Sequence, residues 1–317
     1  MQIYHHVDEY KHHNGSVVTL GTFDGVHRGH HQLINQLNKI AAASNCAGVV
    51  LTFHPHPRMV IFPDDHGLQL LNTLEEKIEI FRQFGIQHLI IQPFTLEFSR
   101  LDAVHFVRDI LVQKLKVQKL IIGHDHHFGR NRQGNLTELE ELAPIYNFEV
   151  LEVEGFKDHD TTVSSTKIRN ALLAGNVELA ETFLGYKYAL SGIVVHGKKL
   201  GRTLGFPTAN LQLHDAAKLI PAIGVYAVTV AIYEDEKDAL YNNHFGMLSI
   251  GKRPTFDNGE VSIEVNILNF NKDIYGKNIT VQLHKKLRDD KKFDSAQSLI
   301  EQMNNDKADT ETFFNLK

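Results

Sequence analysis

The 317-residue chain has one cysteine, Cys46, so it cannot close a disulfide within itself and nothing in it demands an oxidising compartment. It has no basic surplus: 33 lysines and arginines against 38 aspartates and glutamates leave a formal net charge of −5. That balance argues against a nucleic-acid binder, which carries positive charge to meet phosphates. No stretch reaches about 18 uninterrupted apolar residues, so no membrane span is expected. The opening MQIYHHVDEYKHH has no apolar signal core, and a cytoplasmic location is the expectation. No internal repeat is visible.

What is present describes a globular protein, with 42% hydrophobic and 22% charged residues. The length is generous for one domain and comfortable for two. Histidine is abundant, with 20 residues, several of them paired: His5-His6, His12-His13, His30-His31, His54/His56 and His124/His126-His127. Alternate histidines on a strand share a face and can bind metal. No cysteine or carboxylate cluster joins them at a zinc-like spacing, so no transition-metal centre is expected.

The first half alternates strand and helix patterns. Strands are expected at Val17–Leu20, Gly48–Phe53, His88–Gln92, Lys119–Gly123 and Phe148–Val153, and helices near His30–Ala43, Thr73–Phe84, Ala103–Leu115 and Thr137–Tyr146. Thr73-x-x-Glu76 and Thr137-x-x-Glu140 read as capping boxes. The alternation predicts an α/β domain with a Rossmann-like parallel sheet, whose ligands sit beyond the carboxyl ends of the strands. Short helices follow at Lys167–Leu173 and Val177–Leu184. After Leu184-Gly185 the pattern turns to strands only: Ala189–His196, Thr208–Leu213, Gly224–Ile232, His244–Ile250, Val261–Leu268 and Ile279–Leu283. Six strands with turn signals predict a small closed β-barrel. A helix from Phe293 to about Met303, capped by Asp294-x-x-Gln297, closes the chain. The expected domains are 1–185 and 186–317.

Between the first strand and first helix lies Gly21-Thr-Phe-Asp-Gly-Val-His-Arg-Gly-His-His31. Gly21, Gly25 and Gly29 permit a sharp turn and close approach of a ligand. The helix start offers free N–H groups and the positive end of a dipole, and His27 and His30 add two donors. These features suit a phosphate chain held without a Walker lysine; the competing reading is a buried turn with satisfied histidines. Thr162-Val-Ser-Ser-Thr-Lys-Ile-Arg169 opens another helix, where three hydroxyls can cap the helix or, with Arg169, clamp phosphate. In the second half, Val195-His-Gly-Lys-Lys-Leu-Gly-Arg-Thr-Leu-Gly-Phe-Pro-Thr-Ala-Asn210 combines glycines 197, 201 and 205 with Lys198, Lys199 and Arg202, a loop able to approach phosphates. Thr208 and Asn210 lie two apart on a strand, so both oxygens face one side, and hard oxygens suit magnesium held mainly by a nucleotide.

These segments carry a resemblance. GTFDGVHRGHH resembles the HxGH signature of nucleotidyltransferases in the form found in the FMN adenylyltransferase half of bacterial riboflavin kinase/FAD synthetases. The resemblance implies that Gly21, Phe23, Gly25 and Gly29 hold ATP with Ser164, Ser165 and Thr166 of an SSTxIR-like segment, and that His27, His30 and Arg169 stabilise phosphate charge. Thr52-Phe-His-Pro-His-Pro57 is similar to a family loop walling the flavin, which implies flavin contacts for Pro55 and Pro57. Gly123-His-Asp-His-His-Phe-Gly129 resembles the family's GxDFxFG loop; it implies flavin roles for Asp125 and Phe128, with His126 standing where the family commonly has Phe. GFPTAN resembles riboflavin kinases, implying magnesium–ATP binding by Thr208 and Asn210 and nucleotide contacts from Gly197, Gly201 and Arg202. Glu264, a lone carboxylate on a β-branched strand, then matches the family's catalytic base. Arg288 is an expected flavin contact, followed by Asp289 where the family often has Glu. The implied enzyme converts riboflavin and ATP to FMN and ADP, then FMN and ATP to FAD and diphosphate, with Mg2+ and with small molecules as its partners.

Overall fold

A computed structural model describes residues 1–11, 14–64, 67–123, 129, 134–158, 161–197, 201, 204–233, 244–252 and 261–316. The chain forms two compact units, Met1–Ser165 and Thr166–Lys317.

The first unit is built on six strands: β1 (Gln2–Tyr4), β2 (Ser16–Gly21), β3 (Ala47–His54), β4 (His88–Pro93), β5 (Val117–Gly123) and β6 (Glu149–Val153). They form one sheet in the order β1-β4-β3-β2-β5-β6, and every pairing is parallel. Edge strand β1 was not anticipated, because three residues are too few to show a period. Helices α1 (Arg28–Ser44), α2 (Pro57–Ile61) and α3 (Leu74–Gln83) follow β2 and β3. The stretch after β4 begins as α4 (Ala103–His105) and continues as a π-helix over Phe106–Lys114, and α5 (Leu136–Tyr146) precedes β6.

Alternation of side chains sorts the sheet into two cores. Val18, Leu20, Val49 and Leu51 pack with Phe106, Val107 and Leu111 of the π-helix and Leu139 of α5. Val17, Val50, Leu89 and Ile91 face the other way, onto Ile34, Leu37 and Ala41 of α1 and Phe81 of α3. Each fully buried Ile, Leu or Phe stabilises this sandwich by roughly 1.5–3 kcal/mol. The direction of winding reverses at β2: the chain runs through β3 and β4 on one side and resumes at β5 on the other. The crevice at the carboxyl end of β2 is therefore the switch point, where open parallel sheets bind ligands.

Thr73 caps α3 as expected: its hydroxyl accepts from Glu76 N–H at 3.3 Å, and the Glu76 carboxylate accepts from Thr73 N–H at 3.1 Å. The second expected capping box does not form. Asn135 caps α5 instead, accepting from Glu138 N–H at 3.1 Å, and Thr137 lies within the first turn. Asparagine is a stronger cap than threonine and comes first. A two-stranded antiparallel pair, β7 (Lys157–Asp158) and β8 (Thr161–Thr162), ends this unit.

Helices α6 (Ser165–Leu173) and α7 (Val177–Leu184) lead into the second unit, and Ala222 N–H donates to the Leu172 carbonyl at 3.0 Å. Six strands, β9 (Ala189–Val195), β10 (Ala209–Leu213), β11 (Gly224–Tyr233), β12 (His244–Lys252), β13 (Val261–Ile267) and β14 (Asn278–Arg288), close into a barrel ordered β10-β13-β12-β11-β14-β9. All its pairings are antiparallel. The terminal helix, α8 (Ala296–Phe313), starts later and runs ten residues further than the periodicity indicates. Its cap is Ser295, whose hydroxyl accepts from Ser298 N–H at 3.1 Å, not Asp294. The extension is held by buried polar residues: Asp306 pairs with Arg288, and Thr310 donates to the Asp306 carbonyl at 2.7 Å.

Candidate active sites

The turn leaving β2 sits at the switch point. His27 is the N-cap of α1, and Gly25 takes a φ of 85°. Gly21 and Gly29 do not turn left-handed; a Cβ on Gly29 would lie 3.2 Å from the His27 ring, so this glycine makes room for that imidazole. The left-handed positions fall instead on Phe23, at φ 48°, and Val26, at φ 29°. A β-branched residue there is a strained outlier of the kind concentrated at functional sites. Phe23 is buried, its ring edge-on to His30 at 5.0 Å and to Phe81 at 5.5 Å, so it holds the turn from below.

His27 and His30 stack with ring centroids 3.7 Å apart and planes 16° from parallel. His30 Nδ1 accepts from His27 N–H at 3.2 Å, which puts the neutral ring's proton on Nε2. Burial first, then the neighbouring imidazoles of His27 and His31 and the Lys77 ammonium, holds His30 well below the ordinary 6.5. His31 is pushed down to about 4 by burial. At neutral pH the His30 and His31 imidazoles are uncharged.

Three further residues fix the turn. The Asp24 carboxylate, 3% exposed, accepts from Leu71 N–H at 2.9 Å. Ser165 donates to the Asp24 carbonyl at 2.8 Å, bringing the first hydroxyl-rich helix start to the turn. Lys77, 8% exposed on α3, donates to the Thr22 carbonyl at 2.7 Å. Ser164 precedes Ser165, while Thr166 and Arg169 follow on α6 and belong to the second unit. Pro55 and Pro57 lie past the end of β3, and Pro57 opens α2, where a missing N–H costs nothing. Beside them Phe53, Phe94 and Phe98 pack at centroid distances of 5.7–5.8 Å. Asp125 and Phe128 lie outside the described residues.

In the barrel, Glu264 on β13 stands opposite Asn210 on β10 and Ser249 on β12. Thr208, just ahead of β10, donates its hydroxyl to Glu264 Oε2 at 3.1 Å. That bond orients the carboxylate and leaves the threonine lone pairs for another partner. Buried Asn266 holds the segment by donating to the Pro207 carbonyl at 2.8 Å. Gly197 and Gly201 permit close passage: a Cβ would lie 2.1 Å from Asn210 Nδ2 at the first and 2.3 Å from the Phe206 carbonyl at the second. A cleft of about 460 Å³ adjoins Thr208, lined also by Ala209, Phe270, Lys272 and Tyr275. The His196 ring lies over that of Tyr275, with centroids 3.9 Å apart. Arg202 lies outside the described residues. Arg288 makes a bidentate pair with Asp306, both contacts 2.7 Å, tying the end of β14 to α8.

Lys77, Asp24 and Asn266 were not picked out by motif reading. Lys77 had a signal: it falls with Leu74, Ile78 and Phe81 on the apolar stripe of α3.

A histidine-capped turn at a parallel-sheet switch point, followed by a closed barrel with clustered hard oxygens, is an arrangement suited to a two-part nucleotide-using protein. Comparison with known proteins narrows that class. Residues 9–167 match the family model for FAD synthetase, and residues 184–314 match that for riboflavin kinase. The chain is 38% identical over 299 residues to a bifunctional riboflavin kinase/FMN adenylyltransferase of Listeria monocytogenes, covering 94% of this chain and 92% of that one. It is 37% identical over 302 residues to the Escherichia coli protein of the same description, covering 95% and 94%. A crystal structure from Streptococcus pneumoniae, described as a macrolide-efflux protein, superimposes with a TM-score of 0.86 at 34% identity over 98% of each chain. Among the described residues of this chain no helix is long and apolar enough to cross a membrane. The chain belongs to the bifunctional riboflavin kinase/FMN adenylyltransferase family.

Proposed function

We infer that the chain makes flavin cofactors in two steps, converting riboflavin and ATP to FMN and ADP in the barrel, then FMN and ATP to FAD and diphosphate at the β2–α1 turn. The observation that carries this reading is the presence, in one chain matching both families, of a stacked His27–His30 pair at the sheet's switch point and a Thr208–Glu264 pair beside a cleft. In the barrel, Glu264 takes the proton of the riboflavin 5′-hydroxyl as that oxygen attacks the γ-phosphorus of ATP and ADP departs. Gly197, Gly201 and Arg202 approach the phosphates. Thr208 and Asn210 present hard oxygens next to a carboxylate, a set that fits Mg2+; when bound, the ion neutralises charge on the ATP phosphates.

At the turn no covalent intermediate is needed. An FMN phosphate oxygen attacks the α-phosphorus of ATP, and the bond to diphosphate breaks. Catalysis is positioning and charge stabilisation. His27 and His30 donate to the phosphate oxygens, His30 as a neutral imidazole, and Ser164, Ser165, Thr166 and Arg169 also contact the phosphates. Pro55, Pro57, Asp125 and Phe128 bound the flavin, and Arg288 shapes the barrel's flavin rim through its hold on α8. We place adenylyl transfer in residues 1–185 and the kinase in 186–317, working in the cytoplasm on small molecules. Incubation with riboflavin, ATP and Mg2+, followed by chromatography of the flavins, tests the reading. It predicts FMN, then FAD; conversion of neither flavin would overturn it.

A further inference from the structure

We propose that Lys77 is a positioning residue for adenylyl transfer: from the buried stripe of α3 its ammonium ties down the Thr22 carbonyl and supplies the fixed positive charge behind the His27–His30 pair. The inference rests on reading that pair as the phosphate site. A buried lysine is rare without a partner, because removing an ammonium from water is costly. Here the stripe is otherwise Leu74, Ile78 and Phe81, and the ammonium reaches out of it to the first residue of the turn, 2.7 Å from the Thr22 carbonyl. The Thr52 hydroxyl donates to the same carbonyl from β3 at 3.3 Å. The strained Phe23–Val26 segment therefore starts from a carbonyl anchored on two sides.

Charge is the second contribution. Asp24 faces Lys77 from the turn and favours its protonated form, while His30 faces it from α1 and is held neutral partly by its charge. On its own helix, Glu76 is turned to the Thr73 cap. With His30 uncharged, Lys77 is a cation built into this half of the site beneath the histidine donors. Burial brings its pKa down to about 8, so the charge fades as pH rises through that value.

The test uses the full chain, with its riboflavin kinase reaction as the internal control. In the parent, kcat for FAD formation from FMN should fall above pH ~8 while the kinase reaction does not. Lys77→Met should lower that kcat by about 10–100-fold, the range for residues that orient the groups contacting a ligand. Its KM for FMN should change less than about threefold, since only groups supporting the reacting phosphates are disturbed. The alkaline fall should vanish, and His30, followed by NMR, should titrate at higher pH. Lys77→Arg should restore most of the rate and carry the fall beyond pH ~10. Parental kcat in Lys77→Met, or the same alkaline fall in either variant, would overturn the proposal. So would equal losses in both variants with His30 titration unchanged, which is the mark of packing alone. If Lys77→Met does not fold, the parent profile and Lys77→Arg decide. The His27→Ala/His30→Ala chain separates the two ideas: FAD formation at the parental rate there sinks the reading of the turn. Loss there beside a parental Lys77→Met sinks only the role of Lys77.

Discussion

At the β2–α1 turn, Asp24, His27 and Lys77 are 3%, 7% and 8% exposed, and two non-glycine residues sit at positive φ. In the barrel, Thr208, Asn210 and Glu264 are half-buried, and the last two lie within regularly paired strands. The contrast follows from what each site must hold. On the proposed reading the turn builds its anion cradle from protein groups, so they are buried, fixed before the ligand arrives, and bonded to one another. On the same proposed reading the barrel's oxygens leave room for a hydrated cation brought with the nucleotide, so little needs to be buried and the strands stay ordinary. Strain and burial at the turn fit a site that works by preorganisation, and the ordinary strands at Asn210 and Glu264 fit the proposal that the barrel shares its work with a metal.

The strongest way to break the comparison is to remove the turn's donors. His27→Ala with His30→Ala deletes two groups worth roughly 10²–10³-fold each by analogy with oxyanion-hole deletions, so FAD formation should drop about 10⁴-fold or more. Riboflavin should then stop at FMN, read by chromatography. Unchanged FAD formation would show that the stacked pair is structural.

Glu264→Gln makes the reciprocal cut. It keeps shape and the bond from Thr208 but loses the base, so riboflavin phosphorylation should fall by roughly 10²–10⁴-fold. Adenylylation of supplied FMN should stay at the parental rate. A parallel loss of both activities would mean that the two sites are not independent, and the contrast drawn between them would lose its basis.

Glycine substitutions compare the sites' tolerance. A Cβ on Gly197 meets Asn210 Nδ2 at 2.1 Å, so Gly197→Ala must swing that side chain away and should raise the kinase KM for Mg–ATP by about tenfold. A Cβ on Gly29 meets the His27 ring at 3.2 Å and asks for only a few tenths of an ångström. Gly29→Ala should therefore slow FAD formation by only about threefold, the smaller effect despite the more buried site. Steady-state kinetics of the two reactions would show the reverse order if the turn were the less forgiving.

The sequence carried the architecture because the two halves differ in period: 3.6 alternating with 2 gives wound α/β, and 2 alone gives a barrel. It also carried the motifs, since GTFDGVHRGHH and GFPTAN are contiguous. What it hid depends on contacts between distant segments. Lys77 is 55 residues from the carbonyl it holds, and Asn266 lies 59 residues from Pro207. The reach of α8 was hidden for the same reason. Asp306 breaks the apolar pattern and is tolerated only because Arg288 arrives from β14. Thr137 was a reasonable cap by local spacing, but Asn135, two residues earlier, satisfies the helix start first. Local chemistry was legible, and partners supplied by tertiary packing were not.

The smallest effect, and the subtlest test of the contrast, is acid sensitivity. His31 and His284 are each pushed down to about 4 by burial, and His30 lies well below its ordinary value for the same reason. A histidine whose folded pKa is depressed stays neutral in the native state while the unfolded chain takes up a proton near 6.5. Its contribution is therefore complete above about pH 6.5 and is lost as pH falls from there toward 4. His31 and His284 are only partly buried, so solvent screening keeps each loss below the full ~1.36 kcal/mol per pKa unit. The barrel holds His284, bonded to Thr229 at 3.0 Å, whereas the turn places His30 and His31 side by side on α1. Both halves should weaken between pH 7 and 5, and the adenylyltransferase half should weaken more. Urea unfolding of the full chain, followed by hydrogen exchange of β2–β5 and of β11–β14, should show the larger fall in midpoint for the parallel sheet. His31→Phe should narrow the gap, because it removes one of the two titrations without removing the ring that packs on Phe84. A barrel that proved the more acid-sensitive half would mean that burial at the turn is not what keeps its histidines neutral.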